Sequence, residues 1–244
     1  MRGNEHYLLY DSQAKSYLSH PELNDGIAGI VRSQDLLPVE ITIAGEMLYG
    51  VDFAKTPHLL GKLVEKMDEL FPRNSIDPKV NGNTIYDYLS AFQWIFILIH
   101  PFYEANARTS EDAMHIFWRN RPDLKDTVRY LSYNGLRQNP SLDNWQAVMT
   151  QAEHELLITI ARELGLKSQL ELNLIKRYPD LLKFLVKRGM QPADVQIQYQ
   201  QQLFSYLEDF IGRLDDIDFL RNQPVITAVA ENLRHSSLEY HFSS

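Results

Sequence analysis

Apolar positions along this chain recur mostly at three- and four-residue spacing, the mark of helices with one buried face. Thr56-Pro57 opens such a run, with proline at the first helical position, where a missing N–H is tolerated. Leu59, Leu60, Leu63, Val64, Met67 and Leu70 continue it, and it stops before Phe71-Pro72. A polar loop rich in proline, glycine and asparagine follows over 72–83. Thr84 then stands as a candidate N-cap for the strongest run in the chain: Ile85, Tyr88, Leu89, Phe92, Ile95, Phe96 and Ile99. Over its second half the opposite face is apolar too, at Trp94, Ile97 and Leu98, which predicts a central helix buried on all sides. The spacing resumes over 109–120 through Ala113, Ile116 and Phe117, and ends at Pro122. Further helices are predicted near 123–132, 141–164, 168–176, 179–188, 192–213 and 224–235, punctuated by Gly165, Gly189 and Pro192. Period-two alternation is confined to Val39-Glu40-Ile41-Thr42-Ile43; Ala44-Gly45 turns the chain, and Met47 to Val51 supplies a return strand. The expected fold class is mainly α, a helical core with a small β-hairpin and a helical C-terminal extension.

Composition narrows the function classes. With 44% hydrophobic and 23% charged residues in 244, the chain lies in the globular range, which excludes disordered and low-complexity classes. A net charge of −8 with no Lys/Arg cluster argues against a nucleic-acid surface. The absence of cysteine excludes disulfides, thiolate zinc sites, iron–sulfur clusters and cysteine nucleophiles. The longest apolar run, Trp94 to Ile99, falls far short of the ~20 residues of a membrane span. Met1 to His6 leads into no apolar segment, so no secretory signal is expected. The expected location is the cytoplasm, or a host cytosol into which the protein is delivered.

Candidate chemistry collects at the end of the buried helix, in His100-Pro101-Phe102-Tyr103-Glu104-Ala105-Asn106-Ala107-Arg108. Pro101 ends that helix and leaves His100 at a rigid terminus, where an imidazole suits a general base near neutral pH. Phe102 can plug the loop into the core. Glu104 is a hard oxygen ligand suited to Mg²⁺. Ala105, Asn106, Ala107 and Arg108 lead into the next helix, whose first N–H groups form an anion site, and Arg108 adds a bidentate phosphate clamp. Base, metal ligand, anion nest and arginine together are the parts of a phosphoryl- or nucleotidyl-transfer site.

This stretch resembles the motif of the Fic (filamentation induced by cAMP) family, His-x-Phe-x-(Asp/Glu)-(Gly/Ala)-Asn-(Gly/Lys/Ala)-Arg-x-x-Arg. His100, Phe102, Glu104, Ala105, Asn106, Ala107 and Arg108 all fit it. Upstream, Ala28-Gly29-Ile30-Val31-Arg32 and the strands from Val39 are similar to the segment that precedes and forms the family's hairpin, or flap. The similarity spans roughly 20–160, so the expected organisation is a Fic-like catalytic core over 1–164, with a flap at about 39–55, and a helical region of unknown role over 165–244. The resemblance implies that His100 deprotonates a hydroxyl on a target protein, which then attacks the α-phosphate of ATP and takes up AMP. It implies that Glu104 holds Mg²⁺, Asn106 positions the α-phosphate and Arg108 takes the β-phosphate. Tyr49, Gly50, Val51, Asp52 and Phe53 would pair with the target segment, bearing a Ser, Thr or Tyr, as an added strand.

Where the family has a second arginine, this chain has Glu111, a carboxylate that would repel a triphosphate tail. Three readings follow: an AMP transferase, a phosphocholine, UMP or phosphate transferase with a non-ATP donor, or a degenerate module that binds a nucleotide or partner without turnover. The family's inhibitory pattern, Ser/Thr-x-x-x-Glu-(Gly/Asn), is matched by Thr227 to Asn232, which makes Glu231 a candidate inhibitory residue that lacks its arginine partner. For the 165–244 helices, target recognition, a homodimer contact and closure of the site all stand open. His58 and His115 read as ordinary surface or core imidazoles, and Asp215, Asp216 and Asp218 as a solvated face.

Overall fold

Leucines at 59, 63 and 70 with Met67 fold as one stripe of helix α1, Thr56–Leu70, and lie in the core. Val64 is 39% exposed, so the stripe is narrower than the apolar pattern predicts. Helix α2, Ile85–Ile99, buries all 15 of its residues, the polar Asp87, Ser90 and Gln93 included. The computed structural model describes residues 8–11, 16–19, 40–42, 46–72, 77–82, 84–102, 106, 109–110, 113–114, 117 and 142–239, with side chains over most of 50–102 and over 151–234. Among them the chain is mainly helical, as its spacing predicts.

Thr84 occupies the N-cap position of α2 but does not cap it. The Asn81 carbonyl already accepts the N–H groups of Thr84 (3.0 Å) and Ile85 (2.9 Å). The Thr84 hydroxyl instead turns back, donating to Lys79 O at 2.7 Å and accepting the Asn81 N–H at 2.9 Å. It closes the loop that leads into the helix.

Further helices among the described residues are α3 (Leu142–Glu163), α4 (Gln169–Leu174), α5 (Tyr178–Lys187), α6 (Pro192–Gly212), α7 (Ile217–Arg221) and α8 (Pro224–Glu239). Gly165 and Gly189 stop α3 and α5 at φ of 92° and 95°, where other residues are strained. The next N–H in each case reaches five residues back, Leu166 to Ala161 O at 3.0 Å and Met190 to Leu185 O at 3.2 Å. Helix α7 has no counterpart in the periodicity. It starts because Asp216, one of three aspartates expected only to face water, accepts the Phe219 N–H at 3.0 Å as an N-cap.

Among the described residues four short strands also form: β1 (Leu8–Asp11) pairs antiparallel with β2 (Ser16–Ser19), and β3 (Glu40–Thr42) with β4 (Glu46–Tyr49). The first pair has no alternating pattern to announce it. Helix α8 makes the most extensive helix contact with α2, α6 packs on α1 and α2, and α3 packs on α6, α8 and β4. One apolar cluster, from Val51 to Leu233, joins residues on both sides of position 165. No helix among the described residues is long and apolar enough to cross a membrane.

Candidate functional site

The buried helix hands the chain to the candidate loop at a strained residue. His100 takes φ 50° and ψ 59°, the left-handed region, and is the only non-glycine residue with positive φ among those described. The cause is local. The residue before a proline is kept out of the right-handed helical region, so α2 cannot continue through His100, and its N–H still closes the last turn on Phe96 O at 3.0 Å. The left-handed region costs a side-chain-bearing residue about 1–2 kcal/mol. Backbone strain of this kind concentrates at functional sites, and here it falls on the residue the motif makes the base. The imidazole is half-buried, with Nδ1 inside.

Two further contacts set the loop. The Phe102 ring packs on Phe96 at 6.1 Å between centroids, Phe96 on Phe92 at 5.6 Å, and Phe92 on Phe117 at 5.2 Å. This aromatic row anchors the loop to both helices, as expected of Phe102. Asn106 is 5% exposed, and its carboxamide closes the loop like a backbone pair. Its Oδ1 accepts the Phe102 N–H at 3.0 Å, and its Nδ2 donates to Phe102 O at 2.9 Å. Residues 106, 109–110, 113–114 and 117 are helical, and Asn106, Ser110, Met114 and Phe117 bury one face of that turn sequence. Any part Asn106 plays towards a phosphate is therefore combined with holding the loop shut. Asn106→Ala should destabilise the protein by about 1–3 kcal/mol, since it strips partners from two part-buried backbone groups; Asn106→Asp should not restore the wild-type midpoint, because its second carboxylate oxygen faces the Phe102 carbonyl. Denaturant unfolding of the three proteins measures this, and equal midpoints would refute the staple.

The structure thus brings His100, Phe102 and Asn106 into one closed turn. Glu104, Ala105, Ala107, Arg108 and Glu111 lie outside the described residues, as do the 28–32 segment, His115 and the predicted 123–132 helix. Of the expected target-pairing stretch, Tyr49 ends β4, and Gly50 and Val51 are buried, Val51 within the core. Asp52 Oδ1 accepts the Ala54 N–H at 3.0 Å, and Phe53–Lys55 wind into a 3₁₀ turn that feeds α1. The strand itself ends at Tyr49. Glu231 is exposed on α8, one turn before Arg234, whose guanidinium rests on Asp87. Asp87 lies about 20 Å along α2 from His100, at 1.5 Å per residue.

No family model, curated protein or solved structure matches the chain.

Two buried acids carry much of the remaining electrostatics, and neither stands out in a reading for motifs. Asp87, 2% exposed in the first turn of α2, meets Arg221 Nη2 at 3.2 Å and Arg234 Nη2 at 3.0 Å. These pairs tie α7 and α8 to the N-terminal end of α2, where negative charge also suits the helix dipole. Glu153 on α3 is 0% exposed, and burial pushes its carboxyl up to about 8. The available signal for both was a lone acid set on an apolar helix stripe. A separate cleft of about 400 Å³ opens between α3 and α4, lined by His154, Glu155, Thr159, Arg162 and Asn173 among others. It contains no residue of the 100–108 turn, and all of these but His154 are exposed, so its chemistry is that of an ordinary polar surface.

Proposed function

We propose that the chain is a Fic-type transferase that moves AMP, or another phosphate-containing moiety, from a nucleotide to a hydroxyl side chain of a target protein. The joint pattern at 100–108, set after the most buried of the described helices, carries this reading. A strained His100 and a loop closed by Asn106 support it, because a base works only when held in a fixed geometry. His100 would remove the proton of the target hydroxyl; the freed oxygen would form a bond to the α-phosphorus as the bond to pyrophosphate breaks. Arg108 and the N–H groups of the second helix would receive the phosphates. Glu104 fits Mg²⁺, an ion that takes one or two protein carboxylates and fills its shell with phosphate oxygens and water. The strands β3 and β4 would act as the flap, with the β4 edge up to Tyr49 accepting the target segment.

Glu111 favours a second reading, a donor with a shorter or differently charged tail. A carboxylate a few ångströms from a γ-phosphate costs about 1–4 kcal/mol, depending on solvent access. A diphosphate-linked nucleotide should therefore bind at least as well as ATP, and Glu111→Arg should reverse that order and raise ATP-dependent labelling. Incubation with labelled ATP, CDP-choline and UTP plus a cell lysate tests both readings at once. Transfer of label from any donor by the wild type, lost in His100→Ala, supports the enzyme. No transfer from any donor, with nucleotide binding retained, would leave the non-catalytic module. Strong preference of the wild type for ATP over ADP would show that Glu111 turns away from the nucleotide.

A further inference from the structure

Glu153 lies on the stripe of α3 that continues through Leu156, Leu157, Ile160 and Ala161 into the apolar core. Its side chain is fully buried, and neither Oε1 nor Oε2 meets a hydrogen-bond partner among the described residues. Buried polar groups are almost always paired, so such a carboxyl needs an explanation. The described residues of the elements packed on α3 offer it no counter-charge. On α6, Glu208 is held by His58 and Lys62 of α1, Tyr206 bonds Trp94 and Tyr199 packs on Tyr178, while Asp194 and Asp209 are exposed. On α8, Arg234 is held by Asp87 and Glu231 is exposed, and the helix sequence also brings His235 and Glu239. Strand β4 brings Glu46 and Tyr49 in its sequence. On α3 itself, His154 bonds Ile175 O, Glu155 takes a hydrogen bond from Gln151, and Arg162 and Glu163 are exposed. Burial is accordingly the cause that raises this carboxyl, with no charged neighbour among the described residues contributing.

An ionised carboxylate without partners in an apolar site is far less stable than the neutral acid. We propose that Glu153 is a proton-operated latch: as the neutral acid it lets α3 seat against α6, α8 and β4, and loss of its proton unseats that helix. Helix α3 is the element that yields because over 151–163 it buries a single stripe, whereas α2 is buried on every side. In the seated state the carboxyl keeps its proton up to about 8, against 4.5 when exposed. Its stabilising contribution is complete below the exposed value and is lost as pH rises towards the seated one. Between the two, release of one proton per opening makes the opening equilibrium rise about tenfold per pH unit.

Residue-resolved amide hydrogen exchange on the full chain, corrected for intrinsic rates, tests the latch. Amides of 151–161 should lose protection about tenfold per pH unit up to pH ~8, ahead of the α2 amides, and level off above it. Glu153→Gln and Glu153→Met should abolish the slope. A ¹³C-carboxyl titration of the wild type should place the Glu153 resonance near 8. Titration near 4.5, flat α3 protection in the wild type, a slope retained in both variants, or α2 opening in step with α3 would each overturn the proposal. If the glutamine variant fails to fold, the methionine variant and the wild-type titration decide between these outcomes.

Discussion

His100→Gly is expected to leave the protein as stable as the wild type, or up to about 1.5 kcal/mol more stable, while labelling of any target falls about 10²–10⁴-fold. The two effects have separate origins. Glycine relieves the left-handed backbone cost of about 1–2 kcal/mol and gives back about 0.5–1 kcal/mol as unfolded-chain entropy. The imidazole, by contrast, is the proposed base, and a positioned base is worth the larger factor. His100→Ala separates them further, because it removes the base but retains the strain; it should be inactive and no more stable than the wild type. Thermal melts and a labelling assay on the three proteins read both quantities. Wild-type labelling by either variant would remove His100 from the mechanism. A glycine variant much less stable than the wild type would mean that the imidazole is mainly a packing group.

Asp87→Ala should cost about 2–4 kcal/mol, the largest loss expected from any single polar residue here. The carboxylate is 2% exposed and bridges two guanidiniums, and its removal unties α7 and α8 from α2 together. The figure stays moderate because Arg221 and Arg234 are 47% and 33% exposed and recover water contacts when released. Arg221→Ala and Arg234→Ala should each cost less, and less again in the Asp87→Ala background, where the Arg234 guanidinium still lies over the Tyr86 ring at 5.6 Å. Denaturant unfolding of the cycle measures the coupling. Additive losses would show that the arginines act through separate partners, and a wild-type midpoint for Asp87→Ala would refute the clamp.

Helix spacing is local information, and the helices were legible because of it. Leucines every three or four residues mean a buried face whatever that face meets. Thus α1, α2 and the run from α3 to α6 fall within a few residues of their predicted ranges, and Gly165 and Gly189 end α3 and α5 through backbone freedom that glycine has anywhere. The end of α2 at His100-Pro101 was legible for the same reason, since Pro101 dictates a break in any setting. The short pair β1–β2 and the helix α7 were not, since they hold by cross-strand bonding and by one aspartate cap and carry no period. Thr84 shows the same limit at a single residue. Its type suits a cap, but its hydroxyl is engaged by Lys79 O and the Asn81 N–H, and only the folded loop decides that. Asp87 and Glu153 mark it most sharply. Both are single acids on apolar stripes, equally anonymous in sequence. Yet α7 and α8 bring Asp87 two cations, while the described residues of α6, α8 and β4 bring Glu153 no counter-charge. The free energy of a buried charge depends on what distant segments place within a few ångströms of it, and that distance is set by packing alone.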